Sequence, residues 1–360
     1  MWESKLGRMN IDRAFVQTPE GLKQVRDFYS MRSDGLKRWK PWTQREFDPD
    51  LGWKRLYAKD FGLSDNTLGF TLYDNGKAIS MNHYLDRNHV YDFETRRWVP
   101  SDMNTVGYGV VYAGNGVFIM AKDNSQSILA SADGINWSRG TGWGSSNGCY
   151  SAASDGKHAL AGFWWDKTPL FYSDDVLGDY TWHLVGSNDG NPNPYPIFRQ
   201  WQLEYYNGHY IGVDGDNGIS MSRDRFNWTK FAQLNGELLN RFTDIKKVHN
   251  KLYAVAVNNY IYGQTKPIYT LCLINEDISG YRILLQGEDV PNILSALYIR
   301  KYGVYLMFGD NGFLLCSSDG ETWSRVAQKN FSGSKQTAVY IPNDGIYVAC
   351  AGYVYYAACP

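Results

Sequence analysis

No stretch of this 360-residue chain approaches the roughly 18 consecutive apolar residues of a membrane-spanning helix. The opening MWESKLGRMNIDR lacks the apolar core of a secretory leader. Synthesis in the cytosol is therefore expected, with action elsewhere open to a protein released by lysis or carried on a particle. Cysteine is scarce: the five, at 149, 272, 316, 350 and 359, are odd in number and show no CxxC spacing. That excludes a disulfide framework and a zinc ribbon, and Cys272, Cys316 and Cys350 read as reduced thiols in apolar strands. Net charge is only −1, which argues against a general nucleic-acid binder. No phosphate loop and no GxSxG elbow occurs. The six His, at 83, 89, 158, 183, 209 and 249, form no close ligand pair, so no metal site and no cofactor is expected. Asp214-Gly215-Asp216-Asn217-Gly218 resembles a calcium loop only at its start; without the later acidic ligands it reads as a hairpin turn.

What the chain has in quantity is aromatic residues, 16% of the total with 27 Tyr and 13 Trp, together with 36 Gly. Aromatic-rich runs broken by glycine turns are the composition of many short strands. The stretch 309–323, GDNGFLLCSSDGETW, shows the unit: a tight turn, an apolar strand, a second turn and a closing Trp. The same order recurs in GDNGISMSRDRFNW at 215–228 and KDNSQSILASADGINW at 122–137. Recurrence at this scale defines an architecture.

Two series measure the repeat. Hairpin turns are expected at Asn75-Gly76, Asn115-Gly116, Asp155-Gly156, Asn207-Gly208, His249-Asn250, Tyr302-Gly303 and Asp344-Gly345, at steps of 40, 40, 52, 42, 53 and 42 residues. Closing aromatics fall at Trp98, Trp137, Trp182, Trp228, Tyr281 and Trp323, at steps of 39, 45, 46, 53 and 42. Each unit supplies four strands, the content of a propeller blade. The expected fold is all-β: a seven-bladed β-propeller of four-stranded blades, with a six-bladed ring and residues 336–360 packed elsewhere as the alternative. Three strands at the C-terminus, ending with 353–357, leave the last blade one strand short. The turn-then-Trp stretch 33–40, ending near Trp39, is expected to supply that strand and remove the free edge.

Residues 1–60 form an N-terminal arm, and 61–360 the propeller. In the arm, Thr18-Pro19-Glu20 has the form of a helix start, and Leu22, Val25, Phe28 and Tyr29 follow at helical spacing, so one helix is expected over about 19–31. The arm carries 13 Lys+Arg against 9 Asp+Glu, and the remainder 23 against 28. This basic segment is either a solvated face or a contact to the acidic body or a partner.

The stretches SADGINW at 131–137 and SSDGETW at 317–323 resemble the Asp-box of sialidase-type and related propellers, and SRDRFNW at 222–228 is a degenerate copy. The family motif, Ser-x-Asp-x-Gly-x-x-Trp, here lacks the residue between Asp and Gly. The resemblance covers roughly residues 66–360. It implies a structural turn between the third and fourth strands of a blade, away from any active centre. The residues alone support the same role: the carboxylates of Asp133, Asp224 and Asp319 can accept backbone N–H bonds. Ser131, Ser222 and Ser317 open the turns, Gly134 and Gly320 permit the backbone, and Trp137, Trp228 and Trp323 fill space between sheets.

The chemistry of a sialidase is not visible: the Arg-Ile-Pro element is absent and no Tyr–Glu pair stands out, so no catalytic residue is nominated. Candidate binding surfaces are Trp164 and Trp165, Trp201 at the end of the Pro/Asn-rich stretch 188–202, and Trp39 and Trp42; aromatics on loops stack on sugars or fill interfaces. The missing leader, the degenerate repeats, the Tyr/Trp-rich strands and the short arm together resemble bacteriophage tail or receptor-binding structural proteins. The resemblance implies a non-enzymatic virion component, docking on other virion proteins, with no specific nucleic acid and no membrane span. A glycan-binding module for host surface polysaccharide is the first alternative and a glycoside hydrolase the second.

Overall fold

The computed structural model describes residues 15–18, 21–24, 28–32, 35–39, 47, 52–61, 69–73, 77–81, 89–92, 95, 97–101, 107–122, 127–139, 149–163, 170–178, 181–184, 198–214, 218–232, 241–257, 267–287, 290–310, 313–326, 337–342, 344–350 and 353–358. The chain divides into two compact units, 1–48 and 49–360.

In the larger unit the strands group into seven four-stranded antiparallel sheets among the described residues. Sheet 1 comprises Gly69–Tyr73, Lys77–Met81, His89–Asp92 and Arg97–Pro100. Sheet 2 comprises Gly107–Gly114, Val117–Lys122, Ser127–Ser131 and Ser138–Arg139. Sheet 3 comprises Cys149–Ser154, Ala159–Phe163, Leu170–Ser173 and His183–Leu184. Sheet 4 comprises Phe198–Tyr206, His209–Asp214, Ile219–Ser222 and Thr229–Ala232. Sheet 5 comprises Arg241–Val248, Lys251–Val257, Tyr269–Ile274 and Tyr281–Gly287. Sheet 6 comprises Ile293–Ile299, Val304–Gly309, Leu314–Ser317 and Ser324–Arg325. Sheet 7 takes Thr337–Ile341, Gly345–Cys350 and Tyr353–Ala358 from the C-terminal end and Lys54–Leu56 from far upstream.

The first strands of consecutive sheets touch in sequence, 1 on 2 through to 6 on 7, and sheet 7 returns to sheet 1. Sheets arranged about a shared axis in this way make the unit an all-β propeller. The core lies between sheets. Val90 meets Phe118 and Met120 between sheets 1 and 2. Ile128 meets Phe171 and Trp182 between sheets 2 and 3. Leu160 meets Leu203 and Tyr210 between sheets 3 and 4. Val117–Lys122 reads apolar at successive positions because both of its faces are covered: Phe118 and Met120 pack toward one neighbour, Val117 and Ile119 toward the other.

The turn dipeptides fall between first and second strands, as their chemistry requires. Asn115 and Gly116 have φ of 52° and 81°, and Asn207 and Gly208 have 45° and 78°, the left-handed pair that matches strand twist. The expected turn at Asn75-Gly76 lies outside the described residues.

Two expectations for the first 60 residues are corrected. Strands replace the expected helix over 19–31: Phe15–Thr18 pairs with Gly21–Gln24, and Phe28–Arg32 pairs with Gly35–Trp39. In that first hairpin Thr18 pairs with Gly21, and Pro19 and Glu20 lie outside the described residues. Aromatic and β-branched neighbours such as Phe15, Val16, Phe28 and Tyr29 favour that outcome. The closing strand is also not 33–40. Gly35–Trp39 spends its pairing on Phe28–Arg32, and the strand that pairs Val354, Tyr355 and Tyr356 is Leu56, Arg55 and Lys54.

Sheet 7 is held from within and by sheet 1. The Arg55 guanidinium stands 3.6 Å over the Tyr353 ring and 5.3 Å from that of Tyr57. Tyr91 of sheet 1 donates to Asp344 Oδ2 at 2.7 Å, and Tyr347 donates to the same oxygen at 2.9 Å. Arg55→Ala is expected to lower unfolding free energy by about 0.5–1 kcal/mol, the worth of an exposed cation–π contact. Urea titration of the wild type and variant checks this, with an unchanged midpoint as the contrary result.

Candidate functional site

The three Ser-x-Asp turns sit between the third and fourth strands of sheets 2, 4 and 6. In each, one carboxylate oxygen gathers the turn. Asp133 Oδ1 accepts from the backbone N–H of Ile135 at 2.7 Å and of Asn136 at 2.8 Å, and from the Ser131 hydroxyl at 3.0 Å. Asp224 Oδ1 accepts from the N–H of Phe226 and Asn227 and from Ser222, at 2.9, 2.7 and 3.0 Å. Asp319 Oδ1 accepts from the N–H of Glu321 and Thr322, both at 2.7 Å, and from Ser317 at 2.9 Å. The backbone bonds from Thr322 and Glu321 hold the Asp319 carboxyl below the usual carboxylate range. At Asp133, burial acts in the opposite direction, but the bonds from Asn136 and Ile135 prevail and the shift is downward.

Gly134 and Gly320 both have φ of 73°. Arg225 occupies the same place in the sheet 4 turn at φ 77°, a conformation that carries a cost for a residue with Cβ. Its side chain supplies the compensation. The buried guanidinium donates to Ser173 O at 3.0 Å and pairs with Asp174 at 2.8 Å, both at the end of the third strand of sheet 3. The degenerate copy is therefore an anchored one. The other turns are also docked from the preceding sheet: Ser101 donates to Ile135 O at 3.0 Å, Tyr253 donates to Gly320 O at 2.8 Å, and Lys251 meets Glu321 at 2.8 Å.

The Trp residues close the turns in two ways. Trp137 Nε1 donates to Gly134 O at 3.0 Å and Trp228 Nε1 to Arg225 O at 2.9 Å. In sheet 6 the Gly320 carbonyl is taken by Tyr253, and Trp323 Nε1 is buried without a hydrogen-bond partner among the described residues. Trp323 packs edge-on to Tyr253, with ring centroids 5.9 Å apart.

These turns belong to three different sheets, so they do not converge on one centre. Of the candidate surface aromatics, Trp164, Trp165 and Trp42 lie outside the described residues. Trp201 belongs to the first strand of sheet 4, and Trp39 ends the second hairpin of the N-terminal unit.

A charged cluster that the sequence reading missed lies where the first strands of sheets 4 and 5 meet. Glu204 Oε1 accepts from the Lys247 backbone N–H at 3.3 Å, and Lys247 Nζ donates to Tyr205 O at 2.9 Å. Lys246 Nζ pairs with Asp244 Oδ2 at 2.6 Å, while Asp244 Oδ1 is buried without a hydrogen-bond partner among the described residues. Burial pushes the Glu204 carboxyl up to about 7, against the opposing pull of the Lys247 N–H and the Lys247 and Lys246 charges. Burial also raises Asp244, despite the adjacent ammonium of Lys246. The alternation of RFTDIKKV carries the signal in part: Ile245 packs toward sheet 4 and Lys247 shares its face, whereas Asp244 and Lys246 alternate onto the other one and act on Glu204 by charge alone. Among the described residues no group of three or more His, Cys, Asp or Glu could hold a metal ion.

No family model matches the chain, and no curated protein matches it. Solved structures do. Virginiamycin B lyase from Staphylococcus aureus aligns with a TM-score of 0.56 at 10% identity, covering 86% of this chain and 100% of that one. YCF48 bound to a D1 peptide aligns at 0.54 and 12%, covering 89% and 100%. An oligogalacturonate lyase in complex with manganese aligns at 0.53 and 13%, covering 94% and 98%. At these identities the likeness is one of fold: the protein is a β-propeller, in company with propellers of different roles.

Two outcomes test this geometry. Asp319→Ala removes the acceptor of three hydrogen bonds and is expected to cost about 1–2 kcal/mol in denaturant unfolding, with no loss indicating that water replaces it freely. For Glu204, the folded-state value lies above the ordinary 4.5, so the native protein binds the extra proton and stability falls as pH rises from about 4.5 to about 7. Glu204→Gln, which mimics the protonated form, should raise Tm above pH 7 and leave it nearly unchanged below pH 4.5. A lower Tm for the variant in alkaline buffer would show that the ionised carboxylate is what the seam requires.

Proposed function

We propose that this chain is a non-enzymatic docking scaffold in a bacteriophage virion, in the tail or associated with it. In this reading all seven sheets are blades of one ring and the Ser-x-Asp turns are Asp-boxes. The closed cycle of first-strand contacts supports seven in preference to six, since residues 337–358 join that cycle rather than packing elsewhere.

The observation that carries the docking role is the division of labour at the N-terminus. The ring completes itself with Lys54–Leu56 and does not draw its closing strand from residues 1–48, which form a compact unit with their own two hairpins. That unit holds 10 Lys+Arg and 7 Asp+Glu, against 26 and 30 in the remainder. A separate basic module attached to a self-sufficient ring is suited to engaging another protein. The Asp-box carboxylates, by contrast, are consumed by their own turns. YCF48, whose solved structure holds a D1 peptide, gives a precedent for a propeller of this shape acting as a peptide-binding platform. The partners we infer are other virion structural proteins.

Gradient-purified particles should contain the full-length chain by mass spectrometry. A variant lacking residues 1–48 should be lost from particles while the isolated ring keeps the wild-type Tm. Absence of the full-length chain from particles would refute the virion assignment, and a deletion variant that assembles normally would refute the role of the N-terminal unit.

A further inference from the structure

The two Asn-Gly hairpin turns share a backbone shape but differ in what surrounds the glycine nitrogen. At Asn115-Gly116, the Gly116 N–H donates to the Tyr112 hydroxyl at 3.0 Å, and the Asn115 side-chain amide donates to Ser154 O at 2.6 Å. At Asn207-Gly208, both residues are exposed, and no hydrogen bond from the Gly208 N–H is found among the described residues. The Asn207 amide donates to Glu276 O at 2.9 Å, across to the third-to-fourth strand turn of sheet 5.

A second difference concerns the peptide group that joins Asn207 to Gly208. Its oxygen, Asn207 O, lies 2.8 Å from His209 Nδ1. A carbonyl only accepts, so Nδ1 carries the hydrogen. The other ring nitrogen, Nε2, then accepts from Arg223 Nε–H at 2.8 Å, which fixes the neutral Nδ1–H tautomer. A donor on that oxygen stabilises negative charge on the peptide group, and so makes the attached Gly208 N–H easier to deprotonate. The corresponding residue after Gly116 is Val117, which has no side-chain donor.

We propose that Asn207-Gly208 is a self-modification site, at which the turn deamidates Asn207 with help from His209. Solvent hydroxide removes the Gly208 N–H proton as His209 supports the developing charge on Asn207 O. The Gly208 nitrogen attacks Asn207 Cγ; the new N–Cγ bond forms, the Cγ–Nδ2 bond breaks, and Nδ2 takes a proton from water and leaves as ammonia. Water then opens the cyclic imide at either carbonyl, leaving an aspartyl or isoaspartyl residue. The net change is amide plus water to acid plus ammonia, with no redox step. The product has lost the donor that reached Glu276 O and carries a new negative charge at the seam between sheets 4 and 5. His209 is here a positioning residue for the turn's own nitrogen, and the inference goes beyond the docking role.

The test is to incubate the full-length protein in mildly alkaline buffer and follow both asparagines by peptide mapping. The expected result is conversion at residue 207, with isoaspartate among the products, while Asn115 stays an amide over the same period. His209→Ala, at an exposed contact, should slow conversion severalfold, and Tyr112→Phe should speed it at Asn115 by freeing the Gly116 N–H. Asn207→Asp should lower Tm by removing the bond to Glu276. Equal rates at 115 and 207, no conversion at 207, or an unaltered rate in His209→Ala would overturn the proposal.

Discussion

A four-stranded sheet with apolar side chains on both faces cannot be stable alone, and this requirement governs the whole molecule. Each sheet must be covered twice, and the arrangement that covers every sheet twice is a closed ring. Phe118 and Ile119 are neighbours in sequence but are buried in different inter-sheet layers. The same logic makes the last sheet the critical one, because there alone the four strands are not consecutive in the chain. Three residues, Lys54–Leu56, complete the last sheet, and the Tyr91–Asp344–Tyr347 contacts tie it to the first.

Between these apolar layers the polar turns act as registers. A carboxylate that gathers two backbone N–H groups and a hydroxyl fixes a turn without any help from its surroundings. What orients the turn relative to the ring is a single reach from the sheet before it. Ser101, Arg225 and Tyr253 make that connection by three unrelated chemistries: a hydroxyl, a guanidinium and a phenol. The Arg225 example shows that the glycine of such a turn is replaceable when the substituted side chain gains a partner across the seam.

Much of this architecture could be read from the residues. The Asn-Gly and Asp-Gly dipeptides and the recurring Trp gave the strand count per unit, because left-handed turns and inter-sheet aromatics leave local signatures. The N-terminal region was misread for an equally local reason. Leu22, Val25 and Phe28 fit a 3.6 period, yet two short strands need only partners in register, and a hairpin resembles a helix face over so few residues. The closing strand escaped notice because three residues of Lys-Arg-Leu carry no pattern; its identity is set by pairing with Val354–Tyr356, some 300 positions away. The Glu204–Lys247 contact was hidden for a related reason: groups on separate strands become neighbours only when two sheets meet.

The position of Lys54–Leu56 has a consequence for biosynthesis. This segment leaves the ribosome among the earliest parts of the ring, whereas Tyr353–Ala358 leaves among the last. During translation the early segment has no partner, and the intervening sheets accumulate as an open arc with an uncovered flank at either end. The ring therefore closes only once Tyr353–Ala358 has been made, and the half-built arc is the species most exposed to aggregation and most dependent on chaperones.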